Sequence, residues 1–189
     1  MNWMLMPLRR YADFSGRSRR MEYWMWQVLK LIVFGGFVIL FLILFGVAFA
    51  NFEETKDPSQ LIAVGGGALL LWLVCMILAL AIIIPDIAVG VRRLHDTNRT
   101  GWWILAPLGS YFIGIIVAGA LAGSGATMAP GDQTANGLLM AGGLVGLVAM
   151  LVTLVLALIL LVFMFLDGTP GPNKYGPDPK GRDASTVFA

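Results

Sequence analysis

Arginine and carboxylate side chains, together with the chain's one histidine, gather in short polar segments that border long apolar stretches. Residues 14–24 read FSGRSRRMEYW, and residues 92–103 read RRLHDTNRTGWW. The planar guanidinium of arginine suits both carboxylates and phosphates. These segments therefore predict either an ion-pair network or a site for an anionic ligand. The candidate residues are Arg17, Arg20, Glu22, Asp86, Arg92, Arg93, His95, Asp96 and Arg99.

The spacing of these residues predicts part of their local geometry. Ser18 is placed to cap a helix that begins just after it. Arg92 and Asp96 have the i, i+4 spacing of a helical ion pair. Pro85 is expected to kink or restart the helix that leads into them.

A third polar segment, residues 167–180, reads DGTPGPNKYGPDPK. Half of it is glycine and proline, so it should form turns or an extended layer instead of a helix.

A catalytic use of these segments would make His95 a general base, with Asp96 or Glu22 orienting its ring. No GxSxG, HExxH or paired-carboxylate motif accompanies it, and a lone histidine in a charged turn is more often structural. One histidine and one cysteine also cannot build the usual zinc or haem sites, and one cysteine cannot form an intrachain disulfide. We therefore expect no catalytic residue, metal or cofactor.

Four long apolar stretches must position the polar segments. They cover residues 24–50, in which Lys30 is the only charge, and residues 61–84, 102–122 and 138–166, which carry none. At about 1.5 Å per residue, each helix could cross a hydrocarbon core of about 30 Å. The sequence predicts an all-α polytopic membrane protein, with four transmembrane helices in one bundle.

Domain organisation follows from the same stretches. Residues 1–180 are expected to form a single membrane domain, and residues 181–189 a short disordered cytoplasmic tail. An AxA sequence at residues 48–50 would also fit the end of a cleaved signal peptide. The apolar run before it is longer than the usual signal core, so a retained helix is preferred.

The basic residues are sorted between the two sides of the predicted membrane. Eleven of the thirteen Lys and Arg residues precede the first helix, lie in the loop between the second and third helices, or follow the fourth helix. The alternate loops hold only Lys56, and Lys30 is expected to snorkel from the first helix to the basic side. The positive-inside rule then places both termini in the cytoplasm. The tryptophans expected to anchor this surface are Trp24, Trp26, Trp102 and Trp103.

Small residues predict close helix packing near the opposite surface. The third apolar stretch ends in Gly119-x-x-x-Gly123, and the fourth begins with Gly142-x-x-x-Gly146. Spacing of this kind lets two helix backbones approach each other.

Three strings of the chain carry a family resemblance: YADFSGRSRRMEYW from Tyr11, RRLHDTNRTGWW from Arg92, and DGTPGPNKYGPDP from Asp167. The chain resembles the bacterial inner-membrane domain-of-unknown-function family 805 over residues 1–180. The resemblance implies a small four-helix protein of the cytoplasmic membrane and no particular activity. Asn98 stands in a turn where relatives often have glycine, which an αL conformation would tolerate.

Three function classes remain, and the favoured one is a non-enzymatic membrane protein. Its arginine cluster would engage anionic lipid headgroups or a partner, either a second copy or another membrane protein, but no nucleic acid. The alternatives are a small transporter or channel, and a lipid-active enzyme that uses His95. The transporter reading is weakened because Lys30 and Asp86 are the only ionisable groups near the membrane interior.

Overall fold

The computed structural model describes residues 3–129 and 131–182. In this part of the chain the structure is all α-helical, as predicted. The helices are α1 (Met6–Arg9), α2 (Arg20–Thr55), α3 (Pro58–Asp96), α4 (Leu105–Ala126) and α5 (Gln133–Phe165), with 3-10 turns at Trp3–Leu5 and Gly101–Ile104. Residues 183–189 of the predicted tail lie outside the described residues, so their predicted disorder stays a prediction.

Helices α2 to α5 are long and apolar enough to cross a membrane, and each corresponds to one of the four predicted stretches. Only residues 102–104, in the 3-10 turn before α4, and residue 166, after α5, fall outside them. The helices also run beyond the stretches, because polar residues at the ends continue the helices. Large apolar side chains such as Leu31, Leu70, Ile113 and Leu144 are exposed, which suits contact with lipid tails. The packing of all four spans into one bundle stays a prediction.

The described residues fall into two compact units, and the first contains residues 3–14 and 19–89. Pro85 lies inside α3 in this unit, and the helix continues through it. A proline has no N–H, so the carbonyl four residues earlier, that of Ala81, loses its helical partner. The Tyr11 hydroxyl donates a hydrogen bond of 2.5 Å to this carbonyl oxygen. Of the two outcomes predicted at Pro85, a kink or a restart, the restart is wrong, because α3 continues and Tyr11 replaces the missing donor.

The start of α2 also differs from the prediction. Its N-cap residue is Arg19, and no side-chain hydrogen bond caps the helix. Ser18 is buried, and its backbone N–H donates to the Arg92 carbonyl oxygen at 3.1 Å. Ser18 thus ties the loop at residues 15–18 to the end of α3 instead of capping α2.

The second unit contains residues 15–18, 90–129 and 131–182. In it α4 and α5 pack through small residues. A Cβ added to Gly142 would lie 2.8 Å from the Ala118 carbonyl oxygen, and one added to Gly114 would lie 2.1 Å from the Ala149 Cβ. The predicted close approach at Gly142 is therefore present.

The partner half of that glycine prediction is wrong. A Cβ at Gly119 or Gly123 would meet nothing within 4 Å among the described residues. The close contact on α4 is made by Gly114 and by the alanines Ala118 and Ala122, which lie on the helix face turned toward α5. Spacing predicted the motif on each helix but not which face of α4 is used.

The turn between α3 and α4 fixes where the second polar segment leaves its helix. Asn98 adopts the left-handed conformation, with φ of 59°, as the resemblance implied. The Arg99 N–H then donates to the Leu94 carbonyl oxygen at 2.9 Å, which satisfies an acceptor at the end of α3.

Candidate functional site

The Arg17 side chain lies at the centre of a polar network in the second unit and is only 1% exposed. Its Nε donates to Asp96 Oδ1 at 3.0 Å. One terminal nitrogen donates to the Gly171 carbonyl oxygen at 2.7 Å, and the other to the Thr169 carbonyl oxygen at 2.6 Å. All three guanidinium nitrogens therefore already serve acceptors inside the protein.

The Asp96 carboxylate is shared between two arginines. Its Oδ1 lies 2.9 Å from an Arg17 terminal nitrogen, and its Oδ2 accepts from Arg93 at 2.6 Å. All three side chains are at most 2% exposed. The predicted helical pairing of Asp96 was with Arg92 at i, i+4, whereas the observed one is with Arg93 at i, i+3. Burial makes this pairing necessary, since an isolated charge in such a place is very costly.

Arg93 also closes the end of α5. Its guanidinium donates to the Leu166 carbonyl oxygen and, at 3.3 Å, to the Met164 carbonyl oxygen. These carbonyls lie at the C-terminal end of α5, where helical acceptors lack partners and a positive charge is favourable. The residue therefore links the end of α3 to the end of α5.

The glycine- and proline-rich segment folds back over Asp96 in a series of turns. The Thr169 N–H donates to the Asp96 carbonyl oxygen at 2.9 Å. A Cβ on Gly168 would lie 2.1 Å from Asp96 Oδ2, so the approach at this position requires glycine. Asn173 holds the next turn, donating to the His95 carbonyl oxygen and accepting from the Tyr175 N–H. The predicted turns are present.

His95 is held on one face and at one ring nitrogen. Its imidazole stacks on the Tyr175 ring, with centroids 3.7 Å apart and planes 5° from parallel. Its Nδ1 lies 3.2 Å from the Gly16 carbonyl oxygen, which can only accept, so Nδ1 carries the proton of this hydrogen bond. Both Asp96 oxygens are engaged by the arginines, so Asp96, one of the two residues that the catalytic hypothesis allowed to orient the imidazole, does not do so.

A second buried carboxylate, that of Asp178, lies 3.9 Å from a terminal nitrogen of Arg17. Burial raises the pKa of the Asp178 carboxyl, but hydrogen bonds from Arg182 and the Lys180 N–H, with the charges of Arg182 and Arg17, outweigh it. The net pKa is below its ordinary value. The stabilisation from Asp178 is therefore present above the ordinary pKa and is lost as the pH falls through the lowered one.

Arg99 lies at the edge of the network and is half-buried. Its guanidinium carbon lies 3.9 Å from the centroid of the Phe163 ring, in cation–π contact. One terminal nitrogen donates to the Thr97 carbonyl oxygen at 3.3 Å. Its other nitrogens donate to no residue in the described part of the chain.

Asp86 belongs to a different set of side chains, in the first unit. Its Oδ1 lies 2.5 Å from the Lys30 ammonium and accepts from the Trp26 indole N–H at 2.9 Å. Trp26 is 1% exposed and holds that carboxylate, so its predicted role as a surface anchor is wrong. Lys30 pairs with Asp86, and its snorkelling toward the basic side stays a prediction.

The remaining predicted residues are placed as follows. Arg20 begins α2 in the first unit, and Glu22, in the same first turn, is buried. Trp24 is half-buried and meets Tyr23 edge-on at 5.4 Å. Trp102 is 76% exposed, as an interfacial anchor requires, and Trp103 packs edge-on against Phe163. Arg92 is fully buried at the end of α3.

Comparison with known proteins decides the family. Residues 11–177 match the family described as "Protein of unknown function (DUF805)". The chain belongs to this family. Two relatives of this chain are the inner membrane proteins YhaI and YhaH of Escherichia coli strain K12, each 29% identical to it over 180 residues. These 180 residues cover 95% of this chain, 97% of YhaI and 98% of YhaH.

A third relative is the uncharacterized protein YiiR of the same strain, 29% identical over 166 residues, which cover 88% of this chain and 85% of that protein. No solved structure matches the chain. The stretch shared with DUF805 begins at Tyr11, which donates to the Ala81 carbonyl oxygen, and it includes Arg17, Arg93 and Asp96.

Sequence reasoning missed several residues of this DUF805 chain that complete the network. These residues belong to the third polar segment, whose composition predicts only turns; they are Thr169, Asn173, Tyr175 and Asp178. Asparagine and aspartate beside glycine and proline commonly form side-chain turns, and that signal was available for Asn173. The stacking of Tyr175 on His95 has no local sequence signal, because the residues are far apart in the chain.

Proposed function

We propose that this chain is a non-enzymatic, multi-pass protein of the bacterial inner membrane, with both termini in the cytoplasm. Its accessible basic residues on the cytoplasmic side bind anionic lipid headgroups around the buried Arg17–Asp96–Arg93 network. The inner-membrane location is supported by the names of YhaI and YhaH and by the four candidate spans. The orientation is supported by the sorting of lysine and arginine.

The proposal rests on a difference in burial and contacts between two groups of basic residues. Arg17 and Arg93 are buried, and their guanidinium groups are occupied by Asp96 and by backbone carbonyls. Arg99 and Lys174 are more accessible and are held mainly by aromatic rings, those of Phe163 and Tyr175. A cation above a ring keeps hydrogen-bond donors for another acceptor. Arg99 and Lys174 are therefore the proposed headgroup contacts of this unit.

The orientation is tested with single cysteines in a Cys75→Ala background. Glu54→Cys reports the C-terminal end of α2, and Pro172→Cys reports the third polar segment; both positions are exposed. An impermeant thiol reagent added to intact cells should label the first and should label the second only after the membrane is opened. The opposite pattern would put the basic surface outside the cell and would overturn the proposal.

Headgroup binding is tested with the double variant Arg99→Gln/Lys174→Gln. A basic residue near an anionic surface contributes about 1 kcal/mol, so binding of phosphatidylglycerol should weaken by about thirtyfold at low salt. Native mass spectrometry of protein titrated with this lipid measures the change. The difference between parent and variant should shrink as salt is added, because surface charges are screened.

Lys56→Gln is the matched control, because Lys56 also lies near an aromatic ring, that of Phe52, but in the loop proposed to face outward. It should leave phosphatidylglycerol binding unchanged. Equal binding by the parent and the double variant, with both proteins folded, would reduce the basic residues to an orientation signal. Concentration-dependent self-association lost in the variant would instead identify a second copy as the partner.

A further inference from the structure

An ion pair within two membrane-spanning helices of the first unit is not used by the proposed function. Lys30 on α2 and Asp86 on α3 meet with their charged atoms 2.5 Å apart. Their side chains remain 21% and 37% exposed. Ionisable residues in spans are costly and usually mark functional sites, so partial exposure of this pair calls for an additional partner.

The pair is anchored at one carboxylate oxygen only. Trp26 Nε1, Gln27 Nε2 and Lys30 Nζ all reach Asp86 Oδ1, at 2.9, 3.4 and 2.5 Å. Among the described residues, none donates to Oδ2, and the Lys30 ammonium has no acceptor besides Asp86. The pair therefore offers one fixed acceptor and additional ammonium donors side by side.

An open groove of about 470 Å³ lies against these polar groups. Gln27, Lys30 and Asp86 form its polar part. The rest of the lining is apolar and consists of Leu31, Phe34, Ala79, Ile82 and Ile83. A ligand that fills the groove must join a compact charged group to hydrocarbon.

We propose that this groove binds a zwitterionic phospholipid with a primary ammonium, of the phosphatidylethanolamine type. Its ammonium would donate to Asp86 Oδ2, its phosphate would accept from Lys30 and Gln27, and an acyl chain would lie along Phe34 and Ile82. The headgroup carries its two charges on one short unit, which matches the adjacent carboxylate and ammonium of the site. Binding of this kind would also cover the exposed part of an intramembrane ion pair.

The chemistry of the site favours this headgroup over two common alternatives. The quaternary ammonium of phosphatidylcholine has no N–H, so it cannot donate a hydrogen bond to Asp86 Oδ2. Phosphatidylglycerol has no cation for Asp86 and would bring a second negative charge close to the carboxylate. The groove should therefore select by headgroup when the acyl chains are identical.

The test is native mass spectrometry of the full chain in mild detergent, titrated with the three lipids carrying identical chains. Phosphatidylethanolamine should bind about tenfold more tightly than phosphatidylcholine, as loss of a charge-assisted hydrogen bond predicts. Asp86→Asn should remove this preference, and Lys30→Gln should weaken binding of both. Soluble phosphoethanolamine should not compete, because it lacks the acyl chains that fill the groove.

Ala79→Phe fills the groove while leaving the ion pair in place, so it tests the site even where Asp86→Asn folds poorly. It should abolish phosphatidylethanolamine binding. Asp57→Asn, in the loop before α3, is the control and should bind as the parent does. Equal binding of the ethanolamine and choline lipids by the parent, or a preference retained in Asp86→Asn, would overturn the proposal. The double variant Arg99→Gln/Lys174→Gln should keep this preference, which separates it from the proposed function.

Discussion

Replacing Asp96 by asparagine is expected to lower the free energy of unfolding by about 3–5 kcal/mol, the cost of breaking a buried ion pair by removing one partner. The amide keeps the shape of the carboxylate but leaves Arg17 and Arg93, both nearly inaccessible, without the charge that they share. Thermal unfolding of the protein in detergent measures the loss. Limited proteolysis should also cut the third polar segment faster, because Arg17 no longer holds it firmly.

Asp13→Asn is the matched control for this result. Asp13 forms an ion pair with Arg10 at 2.6 Å, but both side chains are more than one third exposed. Exposed pairs contribute about 0–1 kcal/mol, so this variant should unfold close to the parent. If the two variants have the same free energy of unfolding, the buried network is not a principal source of stability. Ligand binding would then be the better explanation of the two arginines.

The parts of the fold that could be predicted from the sequence are those that depend on the length of its uncharged apolar stretches. Each long apolar stretch corresponds to one long helix, since a spanning segment must satisfy its backbone internally. The behaviour of α3 at Pro85 could not be predicted locally. Tyr11, seventy residues before Ala81 in the chain, supplies the missing hydrogen bond, and no feature near Pro85 encodes that contact.

The candidate site was predictable by residue type but not by partner. Arginine and carboxylate in adjoining polar segments indicated an ion-pair network, and such a network is present around Asp96. Spacings of i, i+3 and i, i+4 are almost equally favourable on a helix. Asp96 pairs with Arg93 and not with Arg92. Arg93 also donates to the Leu166 carbonyl oxygen just after α5, and this distant contact could not be predicted from helical spacing. Asp86 is predicted to belong to the same cluster, but its carboxylate is held by the Trp26 indole N–H and the Lys30 ammonium.

Gly168→Ala is expected to be nearly as damaging, although it adds only one methyl group. The new Cβ would lie 2.1 Å from Asp96 Oδ2 and 2.4 Å from its Cγ. The carboxylate cannot move aside, because Arg17 and Arg93 fix both of its oxygens. The backbone at residue 168 must shift instead, which should cost about 3 kcal/mol, the upper end for overpacking. Thermal unfolding in detergent measures this loss as well.

Two further variants show whether the clash with Asp96 is the cause. Gly143→Ala, on α5, meets no atom within 4 Å in the described part of the chain and replaces a poor helix former, so it should be neutral or stabilise by up to about 1 kcal/mol. In an Asp96→Ala background the carboxylate is gone, and adding Gly168→Ala should then cost little more. Contacting residues that act through one interaction are non-additive in this way. Full additivity of the two changes would instead mean that Gly168 is required for a reason other than the approach of the third polar segment to Asp96.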